Sequence, residues 1–135
     1  MAIKMSVAVR NARQNAIEDT IGVDAVLKLR TGAPPAGIAD ADSGTVVSTI
    51  QLPTDWMNAA DAGAKTKKGT WADASADADG TVGHYRIYAA DGTTQHMQGT
   101  VTNTGDGGDM TLDNIVVEAG QSITINTFTT TDGDA

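Results

Sequence analysis

The 135-residue sequence contains no cysteine, and its aromatic residues are limited to one Phe, two Tyr and two Trp. Without cysteine, neither disulfide bonds nor thiolate metal sites can form. With so few large rings, the core of one domain has to be built from aliphatic side chains, and we expect it to be thin. The chain starts without a long apolar run, so we expect neither a signal peptide nor a membrane span.

Positive charge is scarce over most of the chain. The formal net charge is −8, and residues 69–135 contain ten acids but a single base, Arg86. The bases gather in residues 1–30, which carry five of them against three acids. Proteins that bind nucleic acid neutralise its phosphates with Lys and Arg. We therefore expect no nucleic-acid partner.

Residues 6–21, SVAVRNARQNAIEDTI, have the pattern of a helix, which Ser6 can cap and Gly22 can end. Apolar residues recur at helical spacing and predict one buried stripe: Met5, Val9, Ala12, Ala16, Ile17 and Ile21. Three polar residues lie off this stripe: Arg10, Arg13 and Gln14. Two interpretations stay open, a helix that covers the sheet of its own domain and a helix that docks on another protein.

After residue 22 the apolar period changes to two, which is typical of strands. Two early runs predict core faces, formed by Ala25, Leu27 and Leu29 and by Val46, Ile50 and Leu52. Four later runs rich in β-branched or aromatic residues also predict strands: HYRIYA, QHMQGTV, MTLDNIVV and SITINTFTT. The pattern favours a mainly β protein, an antiparallel, jelly-roll-like β-sandwich over residues 23–135. An N-terminal helical segment in residues 1–22 completes what we expect to be a single domain.

Two segments lie between the predicted strands. Residues 30–45, RTGAPPAGIADADSGT, predict a long loop that consecutive prolines stiffen. Residues 56–71, WMNAADAGAKTKKGTW, predict an exposed loop framed by Trp56 and Trp71. The loop contains a local basic cluster: Lys65, Lys67 and Lys68.

Both histidines lie in one predicted hairpin, GHYRIYAADGTTQHMQ, around the turn formed by Asp91 and Gly92. If that turn has two residues, Ile87 pairs with His96. Alternation then places His84 and His96 on opposite faces of the hairpin, and a four-residue loop does the same, whereas a three-residue loop with a bulge would reverse this result. We therefore expect no paired zinc site, and the metal-dependent hydrolase that would need both imidazoles is disfavoured.

Other catalytic and metal-binding patterns are missing. The loop ASADADGT has Arg86 where a calcium-binding EF-hand loop needs its last glutamate. The sequence also has no phosphate loop, no serine nucleophile elbow and no HExxH motif. We expect no catalytic residue, no metal and no cofactor, and hence a binding or structural protein rather than an enzyme.

Five stretches carry a resemblance to a known group of proteins: VRNARQNAIEDTIG, LRTGAPPAG, LPTDWM, GHYRIYAADGTTQHMQGTV and GDMTLDN. Taken in this order, they span nearly the whole chain, which resembles small virion structural proteins of tailed bacteriophages that decorate or cement the capsid. The resemblance implies a β-rich module, often trimeric, that is made in the host cytoplasm and binds the major capsid protein on the outside of the head. It carries over no catalytic residue.

Three functions follow as hypotheses. The first is a decoration protein that bridges and stabilises neighbouring capsid subunits. The second is a tail, neck or fibre-associated virion component. The third, of another class, is a carbohydrate-binding module, whose aromatic platform would be formed by Trp56, Trp71, Tyr85 and Tyr88.

The last strand run leads to a prediction about assembly. In SITINTFTT, Phe128 has the opposite parity from Ile123 and Ile125, so it either projects outward or is swung inward by a bulge. We expect an outward anchor covered by a neighbouring subunit, in a homo-oligomer that the resemblance makes a trimer. The alternative is a monomer whose Phe128 completes its own core. The predicted docking residues are Arg10, Arg13, Lys65, Lys67, Lys68, Trp56, Trp71 and Phe128.

Overall fold

A single helix and ten short strands form the part of the chain that the structure, a computed structural model, describes, which is residues 3–131. Helix α1 spans Val7–Ile21. Ser6 caps it, because the Ser6 Oγ accepts a hydrogen bond from the Val9 N–H at 3.3 Å. Gly22 ends it with a φ of 92°, a conformation that favours glycine. The predicted bounds and both capping residues are confirmed.

The strands account for most of the regular structure. In chain order they are β1 Val26–Thr31, β2 Val46–Gln51, β3 Ala64–Thr66, β4 Trp71–Asp73, β5 Gly80–Tyr88, β6 Gln95–Asn103, β7 Met110–Leu112, β8 Val116–Val117, β9 Ile123–Ile125 and β10 Thr129–Thr131. The prediction of a mainly β chain with an N-terminal helix is confirmed for these residues.

The main sheet is curled and mostly antiparallel. Its strand order is β2-β1-β5-β6-β7, and β8 pairs with the first two residues of β5. Two further pairs, β10 with β3 and β4 with β9, are antiparallel. The exception is β6 and β7, which run parallel, so the expectation of wholly antiparallel pairing is wrong at this edge.

One face of the sheet carries the core. Ala25, Leu27 and Leu29 are fully buried there, as their alternation predicts. The neighbouring strand differs, because β1 and β2 shift register by one residue between Leu29 and Arg30. This bulge brings Val47 into the core in place of Val46, which is half-buried.

The segment 56–71 is not the exposed loop that its polar sequence predicts. It contains β3 and the start of β4, and Trp56 and Trp71 are both fully buried. Their ring centroids lie 6.0 Å apart. Each indole N–H is satisfied by a backbone carbonyl, that of Gly22 for Trp56 at 3.0 Å and that of Lys68 for Trp71 at 3.2 Å. Satisfied N–H groups let these large rings complete a core that is otherwise mostly aliphatic.

Phe128 also belongs to the core, so the expectation that it projects outward is wrong. Only 4 % of it is exposed, and its ring centroid lies 5.6 Å from those of Trp71 and Tyr85. The parity argument fails because the strand is interrupted: β9 ends at Ile125 and β10 begins at Thr129. Alternation restarts after the break, and the ring turns inward.

The hairpin of β5 and β6 places the two histidines in different surroundings. A bulge shifts the register between Ile87 and Tyr88, so Ile87 pairs with Met97 rather than with His96. His84 is fully buried, and its Nδ1 lies 2.8 Å from the Gly32 carbonyl oxygen. His96 is exposed beside α1. Within residues 3–131, no three His, Asp or Glu side chains are grouped closely enough to hold a metal ion.

The opposite face of the sheet carries a buried polar layer, which the loop of residues 32–45 covers. Arg86 is fully buried there and donates to the Asp42 carboxylate and the Asp40 carbonyl at 2.9 Å each. Arg30 and Tyr88 also donate to Asp42, at 3.0 and 2.7 Å. Although burial by itself raises the pKa of Asp42, the hydrogen bond from Tyr88 and the two guanidinium groups hold it below its ordinary value. Hydrogen bonds and ion pairs from buried arginine side chains therefore hold the predicted long loop on the sheet.

No helix in the described range is long and apolar enough to cross a membrane.

Candidate interaction surface

Helix α1 turns its polar side toward the body of the protein. Its buried residues are Arg10, Gln14 and Ile21, and the half-buried ones include Asn11, Asn15 and Glu18. Two of these, Arg10 and Gln14, were placed off the buried stripe by the sequence pattern. The predicted orientation of the helix is therefore wrong for most of its length, and only Ile17 and Ile21 of the apolar stripe reach the core.

The polar side fits because the segment it covers offers backbone N–H groups. Asn11 Oδ1 accepts from the Gly63 N–H at 2.8 Å, and Asn15 Oδ1 accepts from the Ala60 N–H at 2.9 Å. One helical turn further along, Glu18 Oε2 accepts from two successive N–H groups in residues 56–57, at 3.0 and 2.9 Å. Buried N–H groups need such partners. Residues 11, 15 and 18 are spaced along one side of the helix to provide them.

A buried lysine completes the attachment of α1. Lys65 on β3 is 2 % exposed, and its Nζ lies 3.2 Å from Glu18 Oε1. The same Nζ donates to Asn15 Oδ1 at 3.1 Å and to the Asn58 carbonyl at 2.9 Å. The ammonium group thus donates two hydrogen bonds and forms an ion pair with Glu18. Lys65 therefore connects β3 to α1 inside the protein and is not available on the surface as a docking residue.

The outward side of α1 and its two flanks expose many apolar residues, among polar ones such as Arg13 and Asp19. Four large aliphatic residues are between 47 % and 77 % exposed: Ile3, Val7, Val9 and Val23. Small apolar residues on the helix are also exposed: Ala8, Ala12 and Ala16. We call these seven residues the α1 outer face. Aliphatic side chains exposed singly are ordinary, but several of them on and beside one helix favour a surface that another molecule can cover.

A shallow groove borders the α1 outer face where the helix meets the main sheet. Its volume is about 280 Å³, and it is lined by Arg13, Ala16, Ile17, Thr20, Ile21, His96 and Met97. Arg13 is exposed at this rim, and its Nη1 donates to Met5 Sδ at 3.2 Å. The surface therefore combines apolar area with a positively charged edge, on a chain whose net charge is −8.

The predicted docking residues are distributed unequally. Arg13 lies on the exposed side of α1, whereas Arg10 is 7 % exposed and faces inward. Lys67 is half-buried and donates to the Gly69 carbonyl at 2.8 Å. Lys68 is exposed and pairs with Asp55 at 2.6 Å, and that hydrogen bond lowers the pKa of Asp55 and raises that of Lys68. The structure does not bring the predicted residues together into one surface.

The aromatic residues leave no platform for a sugar. All five in the chain are buried, at 4 % exposure or less: Trp56, Trp71, Tyr85, Tyr88 and Phe128. Burial also raises the pKa of Tyr85 well above its usual range, with a further contribution from Asp109. Carbohydrate-binding modules need exposed rings for stacking, and the rings predicted for that role are buried instead, three in the core and Tyr88 in the polar layer.

Residues that fasten the surface were missed by sequence reasoning. Asn11, Asn15 and Glu18 recur at helical spacing as regularly as the apolar residues do, and this second stripe was a usable signal. Asp42 and Arg86 carried no local signal, since they meet from positions 44 residues apart.

Comparison of the chain with protein-family models, with curated proteins and with solved structures gave no match.

Proposed function

We propose that this protein is a virion structural protein that decorates the head of a tailed bacteriophage and bridges neighbouring major capsid subunits. The observation that carries the proposal is the orientation of α1, which buries polar residues and exposes Val9, Ala12 and Ala16 of the predicted apolar stripe. An apolar face held outward by specific hydrogen bonds is suited to docking on a partner. The resemblance of the sequence to small phage decoration proteins supplies the identity of that partner.

The buried contacts that hold the loop of residues 32–45 and α1 suit a protein that has to stay attached to a capsid shell. Arg86 holds the loop of residues 32–45, and Lys65 holds α1, each through a buried cation with several acceptors. Such contacts reduce local opening of segments that would otherwise be exposed. Rigid elements present a docking surface at a lower entropic cost than mobile ones.

Two parts of this proposal rest on the sequence alone, the first on the resemblance and the second on the strand pattern. One is assembly as a homotrimer, because the inward position of Phe128 removes the argument that the sequence offered for it. The other is the jelly-roll-like sandwich, which stays a prediction beyond the mainly β architecture. A tail, neck or fibre-associated role is the alternative, and it would use the same α1 outer face on a different virion partner.

Binding to particles tests the proposal. Capsids of the phage that encodes the chain are prepared without the protein. They are mixed with purified wild-type protein or with the Val9→Asp variant and then sedimented. Val9 is 47 % exposed in the α1 outer face, so the substitution leaves the fold intact and places a charge in the contact. We expect wild type to co-sediment and Val9→Asp to lose at least tenfold in affinity, the effect of about 1.4 kcal/mol.

A matched control uses another exposed valine. Val116 on β8 is 58 % exposed and lies outside the α1 outer face, so Val116→Asp is expected to bind as wild type does. Equal binding by Val9→Asp and wild type would remove α1 from the contact. Failure of the wild type to bind heads, together with binding to tails, would favour the tail-associated alternative.

A further inference from the structure

Three side chains at the contact of α1 with β3 form a reactive arrangement. Lys65 Nζ lies 3.1 Å from Asn15 Oδ1 and 3.2 Å from Glu18 Oε1. The lysine is 2 % exposed, and the Glu18 side chain is 18 % exposed. A primary amine, a carboxamide and a carboxylate are thus held together at a partly buried contact. Reacting groups that the fold holds side by side gain the rate advantage of an intramolecular reaction.

The carboxamide is oriented and polarised by the backbone. Asn15 Oδ1 accepts from the Ala60 N–H at 2.9 Å as well as from Lys65 Nζ. Because a backbone N–H needs an oxygen as its partner, this contact determines which end of the amide faces the lysine. Two donors on the carbonyl oxygen withdraw electrons from Asn15 Cγ, and the Ala60 N–H is positioned to stabilise negative charge that develops on that oxygen.

The carboxylate is fixed in the same way. Glu18 Oε2 is held by the N–H groups of Trp56 and Met57, which leaves Oε1 directed at Lys65 Nζ. A carboxylate at hydrogen-bond distance from an amine can take its proton and return it later, which is the role of a general base and acid. The Asn58 carbonyl, 2.9 Å from Nζ, holds the amine in place.

We propose that Lys65 and Asn15 join in an intramolecular isopeptide bond, with Glu18 as the proton carrier. Glu18 takes a proton from the Lys65 ammonium, and the freed lone pair of Nζ attacks Asn15 Cγ. The tetrahedral intermediate loses a second Nζ proton to Glu18 after the first has passed to Nδ2. The C–N bond to Nδ2 breaks and ammonia leaves, and Glu18 passes the second proton to it, so the nitrogen departs as ammonium and Glu18 is a carboxylate again. One amide replaces another, nothing is oxidised or reduced, and no co-reactant is needed.

The surroundings offer the leaving group a way out. A groove of about 440 Å³ opens beside the three residues and is lined by Asn15, Glu18, Asp19, Asp55, Met57, Asn58, Ala59, Lys65 and Lys68. Ammonia released there reaches solvent directly, which makes the reaction irreversible in dilute solution. The bond would tie α1 covalently to β3 across 50 positions of the chain. The inference does not depend on any binding partner.

Intact-protein mass spectrometry under denaturing conditions tests the proposal. The wild type is expected to weigh less than its sequence by one ammonia molecule. After trypsin, residues 14–28 and 31–67 should appear as one branched peptide, because a modified Lys65 is no longer cleaved. A wild-type protein with its full sequence mass would overturn the proposal and leave the three residues as a non-covalent contact.

Variants separate the roles of the three side chains. Lys65→Arg keeps the cation but removes the amine nucleophile, and Glu18→Gln removes the proton carrier, so both should retain their full sequence masses. Asn15→Asp would lose water instead of ammonia and should reach the same final mass as the linked wild type. Lys68→Arg changes an exposed neighbour and should still link. A Glu18→Gln protein that links at the wild-type rate would overturn the role of Glu18, and linkage in Lys65→Arg would overturn that of Lys65.

Discussion

Replacing Arg86 by Met would remove the centre of the polar layer. All five N–H bonds of this guanidinium have acceptors: Nε and Nη2 donate to Gln98 Oε1 at 3.1 and 2.8 Å, Nη2 to the Gly37 carbonyl at 3.2 Å, and Nη1 to the Asp40 carbonyl and Asp42 Oδ1 at 2.9 Å. Methionine fills most of the same volume without donating. The variant therefore keeps the packing and loses the charge and the hydrogen bonds.

The expected loss of unfolding free energy depends on whether the former partners of Arg86 find other hydrogen-bond partners. Breaking a buried ion pair by removing one member costs about 3–5 kcal/mol. The lower end applies here, because the Asp42 side chain is 38 % exposed and keeps its contact with Arg30 at 3.0 Å. The carbonyl groups of Gly37 and Asp40 belong to the covering loop and can turn to water once it loosens. We expect a loss of about 3 kcal/mol in the free energy of unfolding.

Urea denaturation measures this loss, with fluorescence from the two buried tryptophans as the signal. Lys28→Met is the matched control, because Lys28 is the cross-strand partner of Arg86 and makes one hydrogen bond, to the Gly92 carbonyl at 3.0 Å. We expect the control to lose no more than about 1 kcal/mol. A loss below about 1 kcal/mol for Arg86→Met would refute the reasoning that the buried guanidinium fastens the loop of residues 32–45.

Three further predictions concern the core and the polar layer. The pKa of Asp42 is lowered from 3.8 in the folded protein, so the carboxylate stabilises the fold above pH 3.8, and this stabilisation is lost as the pH falls through the lower folded pKa. The difference in unfolding free energy between wild type and Asp42→Asn should therefore shrink in acid. A difference that stays constant with pH in urea titrations would contradict this. Phe128→Ala should cost about 3–5 kcal/mol in the same assay, since it leaves a cavity beside Trp71, and an unchanged midpoint would contradict the inward position of the ring. Gly83→Ala would place a Cβ 2.3 Å from the Gly32 carbonyl oxygen, and we expect a loss of about 1–3 kcal/mol in thermal melts, whereas a wild-type melt would show that this contact is absent.

The bounds of α1 could be predicted from the sequence because capping chemistry is local. Ser6 and Gly22 act on neighbouring backbone groups, and no distant residue has to be known. The orientation of the helix could not be predicted in the same way, since α1 has two stripes at helical spacing. Which stripe faces inward depends on the segment of residues 56–63, whose backbone N–H groups need acceptors.

The errors in the strands have a similar origin. Alternation holds only within an uninterrupted strand, and neither the break before Phe128 nor the bulge next to Ile87 has a sequence signal of its own. The sequence likewise contains no local signal that Arg86 and Lys65 are buried. Charged residues are buried when partners from other elements surround them, and these partners are between 7 and 50 residues away along the chain.

A cryo-EM map of the phage particle that carries this protein tests the central claim most directly. The proposal predicts density for the protein on the outside of the head, with the α1 outer face, including Val9 and Ala12, against the major capsid protein. It also predicts that each copy contacts more than one capsid subunit. A map in which α1 faces solvent while another surface contacts the shell, or one that places the protein only on the tail, would contradict the account.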